Sequence, residues 1–340
     1  MVGCGLMGSG IAEVCAKSGY TTVVREVSDE LLAKGRQRIE RSLGTAVERG
    51  KLGTSERDAT LQRLRGTTSL DDLSGCDLVI EAATENVDIK KTTFAELDRV
   101  CPPHAILASN TSSIPIIHMA TATRRPHKVL GMHFMNPVPV MPLIEYVRTL
   151  TTSDETVEIA RAFGESLGKR IIVSKDRAGF IVNFLLIPYL CEAVRMLEQG
   201  FASREDIDLG MMLGTSYPMG PFTLLDFVGL DTTLYIADIL LDEFKESRFA
   251  APTLLRQMVT AGYLGRKTGR GFYNYDAGEQ TPSRREDPRS RHHRRAHGPR
   301  RRAARCGHGA VRDPLRRARA RAAGDGPARD RLQQYLRPCA

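Results

Sequence analysis

The stretch MVGCGLMGSG, residues 1–10, holds the triplet Gly3-x-Gly5-x-x-Gly8. That is the spacing with which a chain leaves a buried β-strand and opens a helix over a dinucleotide pyrophosphate. Gly3 permits the tight turn, Gly5 lets the backbone approach the pyrophosphate, and Gly8 lets the helix pack close to the sheet, so that the first turn, Leu6 and Met7, faces the phosphates. Alone the triplet is weak. It gains from Glu26, which ends the β-rich run Tyr20–Glu26 and lies 18 residues after Gly8. A carboxylate there accepts hydrogen bonds from the adenosine ribose and repels a 2′-phosphate, so NAD is favoured over NADP, with Arg25 softening the preference. Without the glycines, Glu26 would read as an ordinary solvated acid before a helix. Only Met1 and Val2 precede Gly3. Met1 is therefore expected inside the first strand, most of which is missing, as if translation were assigned to an internal start.

Downstream, strands alternate with helices. Ser28 is placed to cap a helix with Asp29 and Glu30 in its first turn and Leu31, Ile39, Leu43 and Val47 recurring along one side. Strands are expected at Asp77–Ala82, Ala105–Ser109, Lys128–Phe134 and Arg170–Val173, with helical stretches such as Asp88–Val100 between them. The alternation implies a Rossmann-type, doubly wound parallel α/β sheet over residues 1–175, its first strand truncated. Residues 176–278 read as helices alone. Gly179–Gly200 forms a long apolar helix expected to bend at Pro188, and Ser203 with Asp206 reads as a capping box.

The 340 residues are 41% hydrophobic and 26% charged, as in a globular protein. The longest nearly apolar run, Phe180–Leu190, is too short for a membrane span and contains Asn183 and Pro188. With no secretory signal and no paired cysteines among seven, a reducing, cytoplasmic setting is expected, with no metal site and no membrane partner. The net charge of +9 is misleading until partitioned: residues 277–340 hold 18 arginines, no lysine and 6 acids, leaving the remainder slightly acidic. Residues 279–340 are accordingly expected to form a disordered tail. A basic arm for nucleic acid competes with an out-of-frame translation artefact, and the absence of lysine favours the artefact. Nucleic acid is not the expected partner.

A second constellation is MHFMNPVPVMPLIEYV, residues 132–147. His133 lies near the end of a predicted strand, at the sheet edge where such folds place ligands, and Glu145 follows after a proline-punctuated loop. A histidine steadied by a carboxylate is a proton acceptor near neutral pH, although a single strand histidine is more often a satisfied core residue.

Five segments, ASNTSS (108–113), GMHFMNPVPVMPLIE (131–145), DRAGFIVNFLLIPYL (176–190), YPMGPFTLLDFVGLD (217–231) and GRKTGRGFYNY (265–275), resemble the 3-hydroxyacyl-CoA dehydrogenase family, in order and over about residues 2–276. Within it the likeness is to the bacterial 3-hydroxybutyryl-CoA enzymes. The resemblance implies hydride transfer between C3 of an (S)-3-hydroxyacyl-CoA and NAD. It makes His133 the proton acceptor, Glu145 the carboxylate that orients it, and Ser112 and Asn183 the residues that position substrate oxygens. Glu85, Lys90, Asn136 and Lys267 match positions near the dinucleotide; Ser42 and Arg49 fall on the helix that contacts CoA, Arg49 standing where the family has lysine. For Lys90 and Arg49 the competing reading is a solvated helix charge, and for Asn183 a helix-packing amide. A homodimer through the helical part is implied as well. Two alternatives stay open: a non-catalytic, crystallin-like relative, or an inactive truncated member of the family.

Overall fold

The computed structural model describes residues 1–283. The arginine-rich segment from 284 onward lies outside the described residues. In chain order the elements are α1 (Leu6–Lys17), β1 (Thr22–Arg25), α2 (Asp29–Glu48), α3 (Thr54–Gln62), β2 (Leu64–Thr67), β3 (Leu78–Glu81), α4 (Val87–Val100), β4 (Ile106–Ser109), α5 (Ile117–Ala120), β5 (Val129–Phe134), β6 (Leu143–Arg148), α6 (Asp154–Ser166) and β7 (Arg170–Lys175). Five more helices follow: α7 (Val182–Glu198), α8 (Arg204–Gly214), α9 (Pro221–Val228), α10 (Leu230–Phe244) and α11 (Thr253–Thr260).

The strands divide into a pair, β2-β1, and a five-stranded set, β3-β4-β5-β6-β7. What joins them is the short opening segment. Val2 makes parallel bridges to Arg25 of β1 and to Glu81 of β3. The Val2 N–H donates to the Ile80 carbonyl at 2.9 Å and the Gly3 N–H to Arg25 at 2.9 Å, while the carbonyls of Met1 and Val2 accept from Arg25 and Ala82 at 2.8 Å each. Through these bonds Met1, Val2 and Gly3 link the two sets of strands. A cavity of about 720 Å³ is lined by Met1, Ile11, Tyr20, Val23, Cys76 and Ile80.

Burial on the two faces follows the sequence pattern. Ile11 of α1, Ile39 and Leu43 of α2 and Ala160 of α6 join one hydrophobic cluster. Phe94 and Leu97 of α4 and Met119 of α5 join another, with Leu107 and Val129 from the sheet. Helices on both faces are the doubly wound arrangement. Ser28 caps α2, its hydroxyl accepting from the Leu31 N–H at 3.3 Å.

The expectation of a parallel sheet needs one correction. Strand β6, unforeseen from sequence, runs antiparallel to β5 and parallel to β7. A parallel crossover takes a dozen residues or more, usually as a helix. The link from Met135 to Pro142 is shorter and carries Pro137, Pro139 and Pro142, so it can only turn back on itself. Helix α3 and strand β2 also went unread, because their polar sequences carry little hydrophobic period.

The helical half has its own cores, one built on Leu190, Val194, Phe222, Leu225 and Phe272, the other on Ile187, Ala237, Leu240 and Phe249. Helix α7 runs unbroken through Pro188. The Ser203 hydroxyl accepts from the Asp206 N–H at 3.1 Å, but the Asp206 carboxylate takes the Ser203 hydroxyl at 2.7 Å, so only the forward half of a capping box is present. Two buried carboxylates pin the GFYNY segment. Asp226 accepts from the Phe272 and Tyr273 N–H groups at 2.8 and 2.9 Å, and Asp208 from the Phe222 N–H at 2.7 Å and the Tyr273 hydroxyl at 3.1 Å. Burial pushes both carboxyls above the usual aspartate range.

Candidate functional site

The hairpin that corrects the sheet also makes the first constellation. His133 and Glu145 are register partners across β5 and β6. Their twelve-residue separation is therefore a cross-strand contact, and His133 Nδ1 lies 2.8 Å from Glu145 Oε2. Both are buried, Glu145 completely. Its second oxygen, Oε1, accepts from the Ile181 and Val182 N–H groups at 3.1 Å each, at the start of α7. A helix N-terminus is a favourable place for a carboxylate, since its first N–H groups lack partners within the helix. The chain reaches this geometry through two successive residues of positive φ, Gly179 at +75° and Phe180 at +51°. For phenylalanine that is a strained conformation, of the kind that clusters at functional sites. The Phe180 ring packs 5.5 Å from the His133 imidazole, centroid to centroid. The amides and Phe180 were not singled out from sequence; the signal was the glycine one position earlier.

Beside this pair lies the turn after β4. Ser112 is held through both of its backbone polar groups: its N–H donates to Glu85 Oε1 at 3.3 Å, and its carbonyl accepts from the Asn183 side-chain amide at 3.4 Å. The other Glu85 oxygen takes the Thr111 hydroxyl at 2.6 Å. Asn110, another residue missed, accepts from the Phe134 N–H at 2.9 Å and ties this turn to the end of β5. His133, Glu145, Ser112, Asn183 and Glu85 are thereby joined through α7 and the turn after β4.

The glycine segment is arranged to leave one side open. A Cβ on Gly3, whose φ is +87°, would lie 2.7 Å from the Ala82 carbonyl, and one on Gly8 would overlap the Gly3 carbonyl. Gly5, the N-cap of α1, has nothing within 4 Å of such a position. The protein itself therefore requires glycine at 3 and 8; at 5 a side chain would intrude only on an occupant of the open space. The first turn of α1 carries no acidic residue, and Leu6 there is 67% exposed, while Met7 packs against the core. Glu26 closes the other side, its carboxylate accepting from the Cys4 N–H at 2.5 Å and from the Val27 N–H at 3.1 Å. This is the geometry a dinucleotide needs: donors at a helix N-terminus with a carboxylate one strand away. Replacing Gly8 by alanine is expected to lower folding stability by about 1–3 kcal/mol through overpacking, read in a denaturant melt without ligand. A stability equal to that of the unaltered chain would refute the close-approach argument.

The remaining candidates separate. Lys90 is not a solvated helix charge: it is 2% exposed and its Nζ sits 2.6 and 2.9 Å from the two Glu81 oxygens, with Ser109 Oγ at 3.5 Å. Helical periodicity alone does not reveal that α4 turns this position onto β3. Glu81 Oε1 also takes the Ala83 N–H at 2.7 Å, so the pair fixes the turn beside Gly3. Lys267 pairs with Asp231 at 2.6 Å in the helical half, and Asn136 is exposed in the loop after β5. Ser42 lies beside Glu13 of α1, whose carboxyl is pushed above its ordinary range by burial, and Arg49 is the exposed C-cap residue of α2. Among the described residues, no hydrogen bond joins these last two to the His133 group. No cluster of potential metal ligands occurs among the described residues, and no helix there is long and apolar enough to cross a membrane.

Comparison with known proteins agrees with this geometry. The family model for the 3-hydroxyacyl-CoA dehydrogenase NAD-binding domain matches residues 1–177, and that for the C-terminal domain matches residues 179–275. The 3-hydroxybutyryl-CoA dehydrogenase of Mycobacterium tuberculosis is 53% identical over 277 residues, which are 81% of this chain and 97% of that protein. The human mitochondrial hydroxyacyl-coenzyme A dehydrogenase is 45% identical, over 81% of this chain and 90% of its own. The crystal structure of (S)-3-hydroxybutyryl-CoA dehydrogenase PaaH1 from Ralstonia eutropha superposes with a TM-score of 0.77 at 46% identity, covering 81% and 97% of the two chains.

Proposed function

The chain belongs to the 3-hydroxyacyl-CoA dehydrogenase family, and from that premise we propose that it interconverts (S)-3-hydroxybutyryl-CoA and its 3-keto counterpart, with His133 as the proton-transferring group. It is an NAD-dependent oxidoreductase. The observation that carries the assignment of roles is the buried His133–Glu145 pair, 2.8 Å apart and backed by two α7 amides. With Nδ1 turned to Glu145, Nε2 is the nitrogen left for the substrate hydroxyl. Glu145 fixes that orientation and stabilises the imidazolium formed when the proton arrives. Ser112 and Asn183, already joined through the Ser112 peptide, are placed to steady the substrate oxygens, where charge develops.

Bound NAD supplies the hydride acceptor or, reduced, the donor. Its phosphates fit over Gly3, Gly5, Leu6, Met7 and Gly8, and its adenosine ribose fits at Glu26. Glu85, Asn136 and Lys267 are proposed to line the same ligand, and Lys90 to act through the turn it fixes with Glu81. Ser42 and Arg49 are proposed CoA contacts, for which no geometry beyond their helix speaks. A homodimer is supported by apolar side chains left exposed on the helical half, Leu185 at 67%, Phe201 at 75% and Leu213 at 54%. Sedimentation at two concentrations tests it. A cytoplasmic setting and a place in fatty-acid oxidation belong to the same reading.

The direct test is NADH oxidation with acetoacetyl-CoA, followed at the nicotinamide absorbance. Turnover that stops when acetoacetyl-CoA is withheld is expected; no turnover from the folded protein would sink the assignment in favour of a non-catalytic relative. Substituting Glu26 by alanine is expected to reduce the preference for NAD over NADP at least about tenfold, since a hydrogen bond to a charged group contributes roughly 1.5–3 kcal/mol. An unchanged ratio of kcat/KM values would remove Glu26 from cofactor selection.

A further inference from the structure

Tyr235 lies on α10, in the helical half, yet its hydroxyl donates to the backbone carbonyl of Glu85 at 2.9 Å, across 150 positions of sequence. Glu85 is the residue whose carboxylate holds the Thr111 hydroxyl and the Ser112 N–H. One turn earlier on α10, Asp231 holds Lys267. Positions four apart share a helix face. That face therefore carries two polar attachments, one of them to the loop between β3 and α4. Asn183 of α7 closes the circuit by donating to the Ser112 carbonyl. Ser112 is thus gripped from one side through Glu85 and Tyr235 and from the other by Asn183, both grips leading back to the helical half.

We infer that Tyr235 is a positioning residue for the reaction: through the Glu85 carbonyl it sets the turn that presents Ser112 to the substrate. The inference rests on the functional reading given above. Tyr235 is 42% exposed, so its ring is not a core element, and its phenol is more useful as a donor than as packing. Burial and the neighbouring Glu85 carboxylate raise the phenol above its ordinary range, keeping it protonated as the donor this contact requires. The hydroxyl touches no group that reacts, which separates its role from that of His133.

The test is Tyr235→Phe, which removes only the oxygen, assayed by NADH oxidation with acetoacetyl-CoA beside the unaltered chain. The expected result is a kcat lowered about fivefold, the worth of one neutral hydrogen bond, with the melting temperature unchanged and KM for acetoacetyl-CoA moved less than about twofold. Glu85→Gln should lower kcat in the native background and cost less when Tyr235→Phe is already present, because the two act on one turn. An unchanged kcat, additive effects, or a fall in kcat matched by a fall in melting temperature would each overturn the inference. Turnover absent even from the unaltered chain would instead overturn the functional reading, and this proposal with it.

Discussion

Replacing His133 by asparagine is expected to lower kcat by about 10²–10⁴-fold, the usual worth of a positioned general acid or base, while NADH binding stays near its native strength. The reason is the division of labour in the site. The elements proposed to hold the pyrophosphate and the adenosine ribose, Gly3, Gly5, Gly8 and Glu26, share no hydrogen bond with the His133 side chain, which bonds to Glu145. Asparagine retains an amide that can face Glu145, so the buried carboxylate keeps a donor and its two α7 amides. What disappears is a group that can take a proton from the substrate hydroxyl and carry the charge. Stopped turnover with an NADH fluorescence titration matching the native one is the predicted pair of results. A variant retaining more than about a tenth of native kcat would show that the proton goes elsewhere, and the role assigned here would fall.

The second large effect concerns stability. Lys90→Ala is expected to destabilise the fold by about 3–5 kcal/mol, because it leaves the Glu81 carboxylate buried without its cation. Glu81 is 1% exposed, and besides Lys90 it is satisfied by the Ser109 hydroxyl at 2.8 Å and the Ala83 N–H. Those neutral donors cannot replace a positive charge at such burial. The companion change Glu81→Gln with Lys90→Met, neutral at both positions, should recover most of the loss, since a buried pair often contributes little over apolar replacements. Urea unfolding of the three proteins decides this: a single variant within about 1 kcal/mol of native would mean that the pair is wetter than its geometry indicates.

Most of the scaffold was legible because local chemistry and tertiary need coincide in it. Ser28 with its acids started α2 where a cap was expected, and the buried Ile39 and Leu43 sat on the predicted side. The glycines at 3 and 8 are demanded by backbone contacts that the triplet implies. Illegible parts were those in which a distant partner decides. The antiparallel turn into β6 follows from a short, proline-rich link, a matter of length that a period-two reading of strands does not weigh. The ion pair of Lys90 had no signal in the sequence because its partner Glu81 lies nine positions back, on a strand. The His133–Glu145 pairing could be suspected from sequence, but its register, and the α7 amides on the far oxygen of Glu145, could not. Tyr235 had no sequence signal, since its contact is to a backbone carbonyl, which every residue possesses.

The seam at Val2 bears on how the sheet breathes. Two strands on one side are attached to five on the other through bonds made by Met1, Val2 and Gly3, and Met1 lines a cavity shared with Val23 of β1 and Ile80 of β3. Local opening should be cheapest where few buried contacts must be broken. Amide protons of β1 and β2 are therefore expected to exchange with solvent deuterium sooner than those of β4 and β5, through an excursion that leaves the five-stranded set intact. A dinucleotide would rest on both banks of the seam, at the glycine segment and at Glu26. Its binding should slow exchange on the two-stranded side far more than in the rest of the sheet.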